Sequence, residues 1–371
     1  MIGSSLVPAP IAALPWKLIF LVLAIGLFGG MTLFSAAGGS LSPWALNHFV
    51  RFVALLAVAI VLSYFQPRTF RDWAYPAYGL IIVLLIVVEL IGVVGGGAQS
   101  WLDLGVFQLQ PSELMKPVIV LILAGFYAGL PTGEIRKWSA IWPPALLTIV
   151  PSVMILLQPD LGTTLLLLFS ALTVMFLAGL PLRLFIGGGL AVAAMIPIVY
   201  TFFMMPHQQK RVLIFLNPED DPLGAGYHIT QSKIAIGSGG LFGKGYLNGT
   251  QSHLHYLPEQ HTDFIFPAMV EEWGLMGGLF LILCFALLFR WGMTVALESK
   301  DRFERLAAAG LTMTIFFYFA INLLMVMGLA PVVGIPLPLF SYGGSAMLTV
   351  MLCLGMLMSI DRNNRRERHR L

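Results

Sequence analysis

His261 and Asp263 fall in the run Tyr256-Leu-Pro-Glu-Gln-His-Thr-Asp-Phe-Ile-Phe266, where a mostly polar stretch gives way to a long apolar one. A carboxylate at such a border is hydrated enough to ionise and close enough to lipid to meet a lipid-borne substrate. The chemistry open to it is taking a proton from a substrate hydroxyl, or orienting that hydroxyl. The plainer alternative is structural, since acids are favoured where a helix begins and cap its free N–H groups. Glu259, His261, Glu271 and Glu272 crowd the same stretch. Clustered ionisable groups shift one another's pKa, which weighs toward function. Glu271 and Glu272 lie deeper in the apolar run and are expected to pair in the interior.

Glu113 and Lys116 form a second constellation, three apart at the start of another apolar segment, so they share a helix face. Either charge placed mid-bilayer would cost about 2.5–3.5 kcal/mol on insertion scales, so the two are expected to face the bundle interior and pair. They are either a structural ion pair or the lining of a substrate cavity in which Lys116 attracts phosphate. Asp160 and Arg51 are boundary cases of the same kind, and Arg51 has the option of snorkelling to the interface. Gln110-Pro111-Ser-Glu113 and Gln158-Pro159-Asp160 echo one another ahead of apolar runs, a likeness that ordinary capping largely explains.

Generic catalytic patterns fail. Ser238-Gly-Gly-Leu-Phe-Gly-Lys-Gly245 resembles a phosphate-binding loop but lacks its first glycine and its terminal Ser/Thr. Gly237-Ser-Gly239 is followed by Phe242 where a dinucleotide fingerprint needs glycine. Neither a metalloprotease helix nor a serine elbow is present. His253 and His255 have a spacing that suits metal ligands, but no third ligand is evident, so no metal site is expected. Cys284 and Cys353 fall in apolar runs and imply no disulfide.

These residues must be positioned by membrane helices. An apolar fraction of 58% and a charged fraction of 11%, with a mean hydropathy of +0.87, exclude a soluble globule, which carries about 25% charged residues. A span needs about 20 apolar residues. Ten segments qualify: 17–36, 46–65, 74–94, 112–129, 140–157, 161–179, 183–203, 264–290, 306–329 and 341–360. The chain is therefore expected to be an all-α polytopic membrane protein of about ten transmembrane helices, one domain over 1–371. A large extracytoplasmic loop, 204–263, is expected between helices 7 and 8.

Loop charges orient it. An even number of spans puts both termini on one side, where the loops would hold Arg68, Arg71, Arg136, Lys137, Arg183, Lys300, Arg302 and Arg305. Residues 361–371 add a basic tail, and the opposite loops other than 204–263 are nearly free of Lys and Arg. Excess Lys and Arg marks the cytoplasmic side, so both termini are expected inside and the large loop outside. With only Lys17 ahead of it and no clear cleavage site, the first span is read as uncleaved. The tail accounts for most of the net charge of +3 and suits anionic membrane lipid. No folded basic domain exists to bind nucleic acid, and no such partner is expected.

Three further segments stand apart on the outer side. Residues 95–111, Gly-rich, aromatic and polar, suggest a short hairpin. Residues 329–345 carry three prolines and no charge. They are expected to pack at the outer interface, because non-helical backbone at that depth must be buried in protein or line a wet cavity. Residues 224–240, with Tyr227, Ile229, Ile234 and Ile236 among polar neighbours, are expected to form an interfacial amphipathic helix.

Several long motifs recur here in a fixed order: Gln110-Pro-Ser-Glu-Leu-Met-Lys-Pro117, Gln158-Pro-Asp-Leu-Gly-Thr163, and the stretch from Arg211 to Pro222. They continue with Gly224-Ala-Gly-Tyr-His228, Gln231-Ser-Lys-Ile-Ala-Ile-Gly-Ser-Gly-Gly240 and Leu257-Pro-Glu-Gln-His-Thr-Asp-Phe-Ile-Phe266. The last is Gly334-Ile-Pro-Leu-Pro-Leu-Phe-Ser-Tyr-Gly-Gly-Ser345. On a ten-span chain this set resembles the SEDS proteins (shape, elongation, division and sporulation) over nearly the whole length, and the elongation branch more than the division branch. The resemblance implies a peptidoglycan glycosyltransferase that polymerises lipid II into a growing glycan strand outside the bacterial cytoplasmic membrane. It also implies a class B penicillin-binding protein, a transpeptidase, as partner. By the same resemblance the family's essential aspartate falls on Asp263, its functional tryptophan on Trp101, and its transmembrane acid–base pair on Glu113 and Lys116. Pro267 stands where the family commonly has Ala and is expected to bend the eighth helix.

Joining an acceptor hydroxyl to a donor sugar on a lipid diphosphate, with inversion, needs one base and a stabilised leaving group. Diphosphate leaves as a weakly basic anion, so the second carboxyl that glycosidases use is unnecessary. Asp263 is expected to be the base, with Asp160 and His261 in support. Arg211, Lys233, Lys116 or a divalent cation is expected to neutralise the diphosphate; no other cofactor is expected. Two rival functions are a flippase or transporter for the lipid-linked precursor, which intramembrane ionisable residues would equally suit, and a noncatalytic scaffold. No inverted repeat with matching broken helices is evident, which favours the enzyme.

Overall fold

A computed structural model describes residues 14–95, 98–103, 105, 108–202, 209, 225–254, 256 and 259–370. Apolar runs of this length satisfy every backbone polar group internally only as helices. The first seven are α1 (Trp16–Ala36), α2 (Trp44–Leu62), α3 (Pro67–Ile91), α4 (Pro111–Gly129), α5 (Trp142–Leu157), α6 (Leu161–Ala178) and α7 (Leu182–Phe202). Two helices of the insert follow, α8 (Ala225–Ser238) and the short α9 (Thr250–His253). The chain ends with α10 (Ile265–Glu298), α11 (Arg302–Val326) and α12 (Gly344–Arg370). Excluding α8 and α9, these are ten helices long and apolar enough to cross a membrane. Arg211 lies outside the described residues.

The largest boundary shifts relative to hydropathy, in α3, α10 and α12, are toward longer helices. α3 begins at Pro67 and takes Arg68 and Arg71 into its opening turns, because proline at the first position needs no hydrogen-bond partner. α10 and α12 run on past the apolar stretch. The basic tail is therefore the end of a helix, pinned by Asp361–Arg365 at 2.8 Å and Glu298–Arg368 at 2.6 Å.

α4, α6, α11 and α12 supply much of the interior, and α4 packs against α3, α6 and α11. In lipid, close helix crossings depend on small residues. Gly310 shows why: a Cβ there would come within 2.6 Å of both Val120 and Val174, so α4, α6 and α11 could not meet. α2 lies along α12. α7 buries none of its described side chains, and its large apolar residues, such as Leu190 and Val192, face outward.

The eighth helix is broken, but not where proline predicted. Pro267 sits in the first turn of α10, where the N–H it lacks would have no intrahelical partner, and it bends nothing. The break is at Gly274, with φ +65° and ψ −165°. Residues 239–245 fill it: Leu275 N–H bonds Gly240 O at 2.9 Å, Met276 N–H bonds Leu241 O at 3.2 Å, and Lys244 N–H bonds Glu271 O at 2.9 Å. A Cβ on Gly243, whose φ is +78°, would fall 2.0 Å from Glu272 O. The phosphate-loop lookalike is thus a plug for a broken helix, and its glycines serve close backbone contact. Glu271 and Glu272 pair in the interior as expected. Glu271 takes Lys244 Nζ at 2.5 Å and the N–H groups of Thr250 and Gln251, capping α9; Glu272 accepts from Ser35.

The outer segments also take shape. Three strands, β1 (Val93–Gly95), β2 (Ala98–Asp103) and β3 (Gln108–Leu109), form an antiparallel sheet in the order β1-β2-β3, one strand more than a hairpin. α8 forms, but it docks on α10 and α11 instead of lying free on lipid, with Ile229, Ser232 and Ala235 buried and Ile234 exposed. Residues 329–343 stay irregular and apolar, and Ile335, Leu337, Leu339 and Phe340 are buried.

Candidate active site

Alternating helix direction brings the ends of α1, α3, α5 and α11 together with the starts of α2, α4, α6, α10 and α12. The sheet, α8 and the irregular 329–343 segment lie at this end, and Asp263 with them. The groups Arg68, Arg136, Lys137, Arg183 and Lys300 lie at the other.

Asp263 is not a helix cap. The capping position of α10 is Phe264, which offers no side-chain hydrogen bond. Instead the Asp263 backbone carbonyl is gripped by Asn322 Nδ2 at 2.9 Å, and the same Nδ2 donates to Ile335 O at 2.7 Å. Two more bonds tie the segment carrying Asp263 to the irregular one: Ser341 Oγ donates to Thr262 O at 2.6 Å, and Tyr342 N–H to His261 O at 2.8 Å. With the backbone of residues 261–263 held by three of these bonds, the Asp263 carboxylate stays uncommitted. Among the described residues it makes no side-chain hydrogen bond and no ion pair. It keeps an exposed edge, while burial pushes its pKa up to about 7 and the nearby charge of Glu259 adds to the rise.

His261 stacks on Trp44 with ring centroids 4.4 Å apart and planes 5° apart, and Tyr342 flanks it at 6.0 Å. Burial pulls its imidazole below the ordinary value, with Glu259 opposing, so near pH 7 it is a neutral wall of the site.

The other predicted residues surround this loop at several depths. Asp160 does cap α6, accepting Thr163 N–H at 3.0 Å, and it also accepts from Gln110 Nε2 at 2.7 Å, joining the two echoing Gln-Pro motifs. Burial raises its carboxyl, with the Thr163 hydrogen bonds opposing. Glu113 and Lys116 pair at 2.6 Å, and both are buried. Tyr318 closes the pair into a triad, accepting from Lys116 and donating to Glu113. Lys116 is fully buried among its partners. Trp101 lies on β2 across from Val93 and covers Gly95, where a Cβ would come within 2.9 Å of the indole. Lys233 is exposed on α8 beside Gly328.

Sequence reasoning missed Tyr318 and Asn322. The signal was there: both are polar side chains in an apolar run, four apart, so one turn of α11 separates the buried triad from the Asp263 grip. Ser341 and Tyr342 lay inside a motif already singled out, but nothing in their types foretold that they would clasp the segment from Glu259 to Asp263.

Residues 12–366 match the family model described as a cell cycle protein, covering FtsW, RodA and SpoVE. The chain belongs to this family, the SEDS proteins. It is 42% identical over 357 residues to the peptidoglycan glycosyltransferase MrdB of Escherichia coli (strain K12), covering 94% of this chain and 93% of the relative. It is 32% identical to the peptidoglycan glycosyltransferase RodA of Treponema pallidum, over 93% of this chain and 97% of that one. Among solved structures it is similar to one from a study of how a peptidoglycan synthase complex coordinates polymerization and crosslinking, with a TM-score of 0.82, 37% identity, and 95% and 98% of the two chains covered. It is also similar to the rod shape determining protein RodA of Thermus thermophilus, with a TM-score of 0.70, 32% identity, and 95% and 97% covered. The resemblance seen in the motifs holds across this SEDS chain.

Proposed function

We propose that this SEDS protein, a peptidoglycan glycosyltransferase, uses Asp263 to polymerise lipid II into glycan strands. One observation carries the role of Asp263: its backbone is pinned by Asn322 while its carboxylate is left without a partner at the border of the membrane. A residue placed for capping would show the reverse. A pKa near 7 is also where a general base combines sufficient ionisation with sufficient basicity.

The step balances with one base. The acceptor sugar O–H breaks and its proton passes to Asp263, while the oxygen bonds the donor anomeric carbon on the face opposite the diphosphate. The bond from that carbon to the diphosphate oxygen breaks, and the electron pair leaves with the lipid diphosphate. That anion is weakly basic and needs no proton at departure. A positioned base of this kind contributes about 10²–10⁴-fold. Glu113 and Lys116, buried in a closed triad with Tyr318, act by holding α4 against α11, one turn from Asn322.

The site faces away from the cytoplasm in this reading, because the loops rich in Lys and Arg lie at the other end. The product strand emerges beside a crosslinking enzyme, and a class B penicillin-binding protein is the partner that chemistry calls for. Purified protein, alone and with that partner, is to be given lipid II in detergent and again in sealed vesicles. Glycan polymer in detergent is the expected result. Lipid II translocation across vesicles without polymer would establish a transporter, and neither product would establish a scaffold.

A further inference from the structure

At the Asp263 end of the bundle, four described side chains carry a positive charge at neutral pH: Arg51, Lys116, Lys233 and Lys244. Two are already matched, Lys116 by Glu113 at 2.6 Å and Lys244 by Glu271 at 2.5 Å. Arg51 and Lys233 meet no carboxylate among the described residues. Arg51 is the costlier of the two. It sits about 10 Å along α2 from Trp44, at 1.5 Å per residue. A guanidinium on a membrane helix is unfavourable unless it pairs or reaches water, and Arg51 is exposed on α2. Among the described residues its ring contact is Tyr342, at 4.9 Å, a weak return at an exposed position. The balance points to an anion that completes the site.

The segment from Gly328 to Gly344 explains where that anion goes. It passes three chargeable side chains and has glycine at each. A Cβ on Gly328 would lie 2.8 Å from Lys233 Nζ, one on Gly334 3.5 Å from Asp263 Oδ2, and one on Gly344 3.5 Å from Arg51 Nη1. The segment is a floor, kept clear of side chains where a cation, a carboxylate and a second cation stand. Tyr342, under the Arg51 guanidinium, also donates its N–H to His261 O at 2.8 Å, so Arg51 is one residue removed from the segment that carries Asp263. On either side of Arg51, Val50 and Val53 are exposed. Such a surface fits a molecule with an anionic head and a hydrocarbon chain, and the planar guanidinium fork matches phosphate oxygens.

We propose that Arg51 binds the diphosphate of a lipid-linked sugar, and that Lys233, at the far end of the same floor, holds a second. Joining two lipid-linked chains brings two diphosphates to one base, which is why cations are needed at two places. This rests on the polymerase reading above, and its test is separable from it.

The full chain carrying Asp263→Asn, in nanodiscs of zwitterionic lipid, is titrated with a polyprenyl diphosphate, a polyprenyl monophosphate and inorganic pyrophosphate. Adding Arg51→Leu is expected to weaken diphosphate-lipid binding about tenfold or more, the size of one charge-assisted contact. Arg51→Lys, which keeps the charge but loses the fork, is expected to lose several-fold. Monophosphate lipid and free pyrophosphate are expected to bind the parent more weakly than the diphosphate lipid. Because leucine suits a lipid-facing site, Arg51→Leu is also expected to raise the ligand-free Tm. Diphosphate-lipid affinity unchanged by Arg51→Leu overturns the proposal, and free pyrophosphate binding as tightly as the lipid overturns its lipid half. Polymer made by Asp263→Asn would refute the base assignment and leave the binding result standing.

Discussion

Among the described residues, Asp263 differs from the other buried carboxylates in making no side-chain hydrogen bond and no ion pair. Glu113, Glu271 and Glu272 are each committed to a partner, and Asp160 caps a helix. The freedom of Asp263 has a consequence for pH. Its pKa is raised to about 7 by burial first and by Glu259 second, so the base is protonated and idle in acid. kcat/KM is expected to rise through pH 7 as the carboxylate ionises. Glu259→Gln removes the smaller of the two causes and leaves the burial. The acid limb should therefore move to lower pH, and the ratio of activity at pH 6 to that at pH 8 should increase. A limb that stays in place, measured on both proteins, would mean another group governs it. Burial lowers the pKa of His261, so a limb that it governed would lie below its ordinary value.

Secondary elements were the most legible level, for a physical reason. In hydrocarbon only the helix satisfies its own backbone, so the ten apolar runs appeared as helices in the expected order. Their ends were less legible, because hydropathy stops at the lipid while a helix such as α12 continues into water. Least legible were the breaks. Pro267 looked like the bend, but a first-turn proline is harmless; the break is at Gly274, whose φ of +65° interrupts the helix. The sequence rightly excludes 238–245 as a phosphate loop but bears no sign of the plug, because glycines for close backbone contact and glycines for phosphate contact look alike. Gly243→Ala tests the plug. Its Cβ would collide with backbone at 2.0 Å in a left-handed conformation, so a loss of several kcal/mol, or failure to fold, is expected. Thermal unfolding in detergent would reveal it, whereas Gly237→Ala, where a Cβ meets open space, should leave Tm unchanged.

The whole molecule has two unlike ends, one with basic loops and one with the sheet, α8, the glycine floor and Asp263. That asymmetry was readable from Lys and Arg positions alone, whereas the clasp between 259–263 and 329–343 was not, since it joins segments far apart in the chain through backbone bonds. The orientation is checked by single cysteines against the background of buried Cys284 and Cys353. Asp103→Cys, on the exposed edge of β2, should react in intact cells with a membrane-impermeant thiol reagent. Lys137→Cys, exposed at the other end, should react only after permeabilisation.

The base itself is tested most directly by the turnover of lipid II by purified Asp263→Asn beside wild type, in complex with the crosslinking partner. A fall in kcat of about 10²–10⁴-fold is expected, with partner binding and Tm preserved. Turnover near the wild-type rate in a folded, partner-bound Asp263→Asn protein would contradict it.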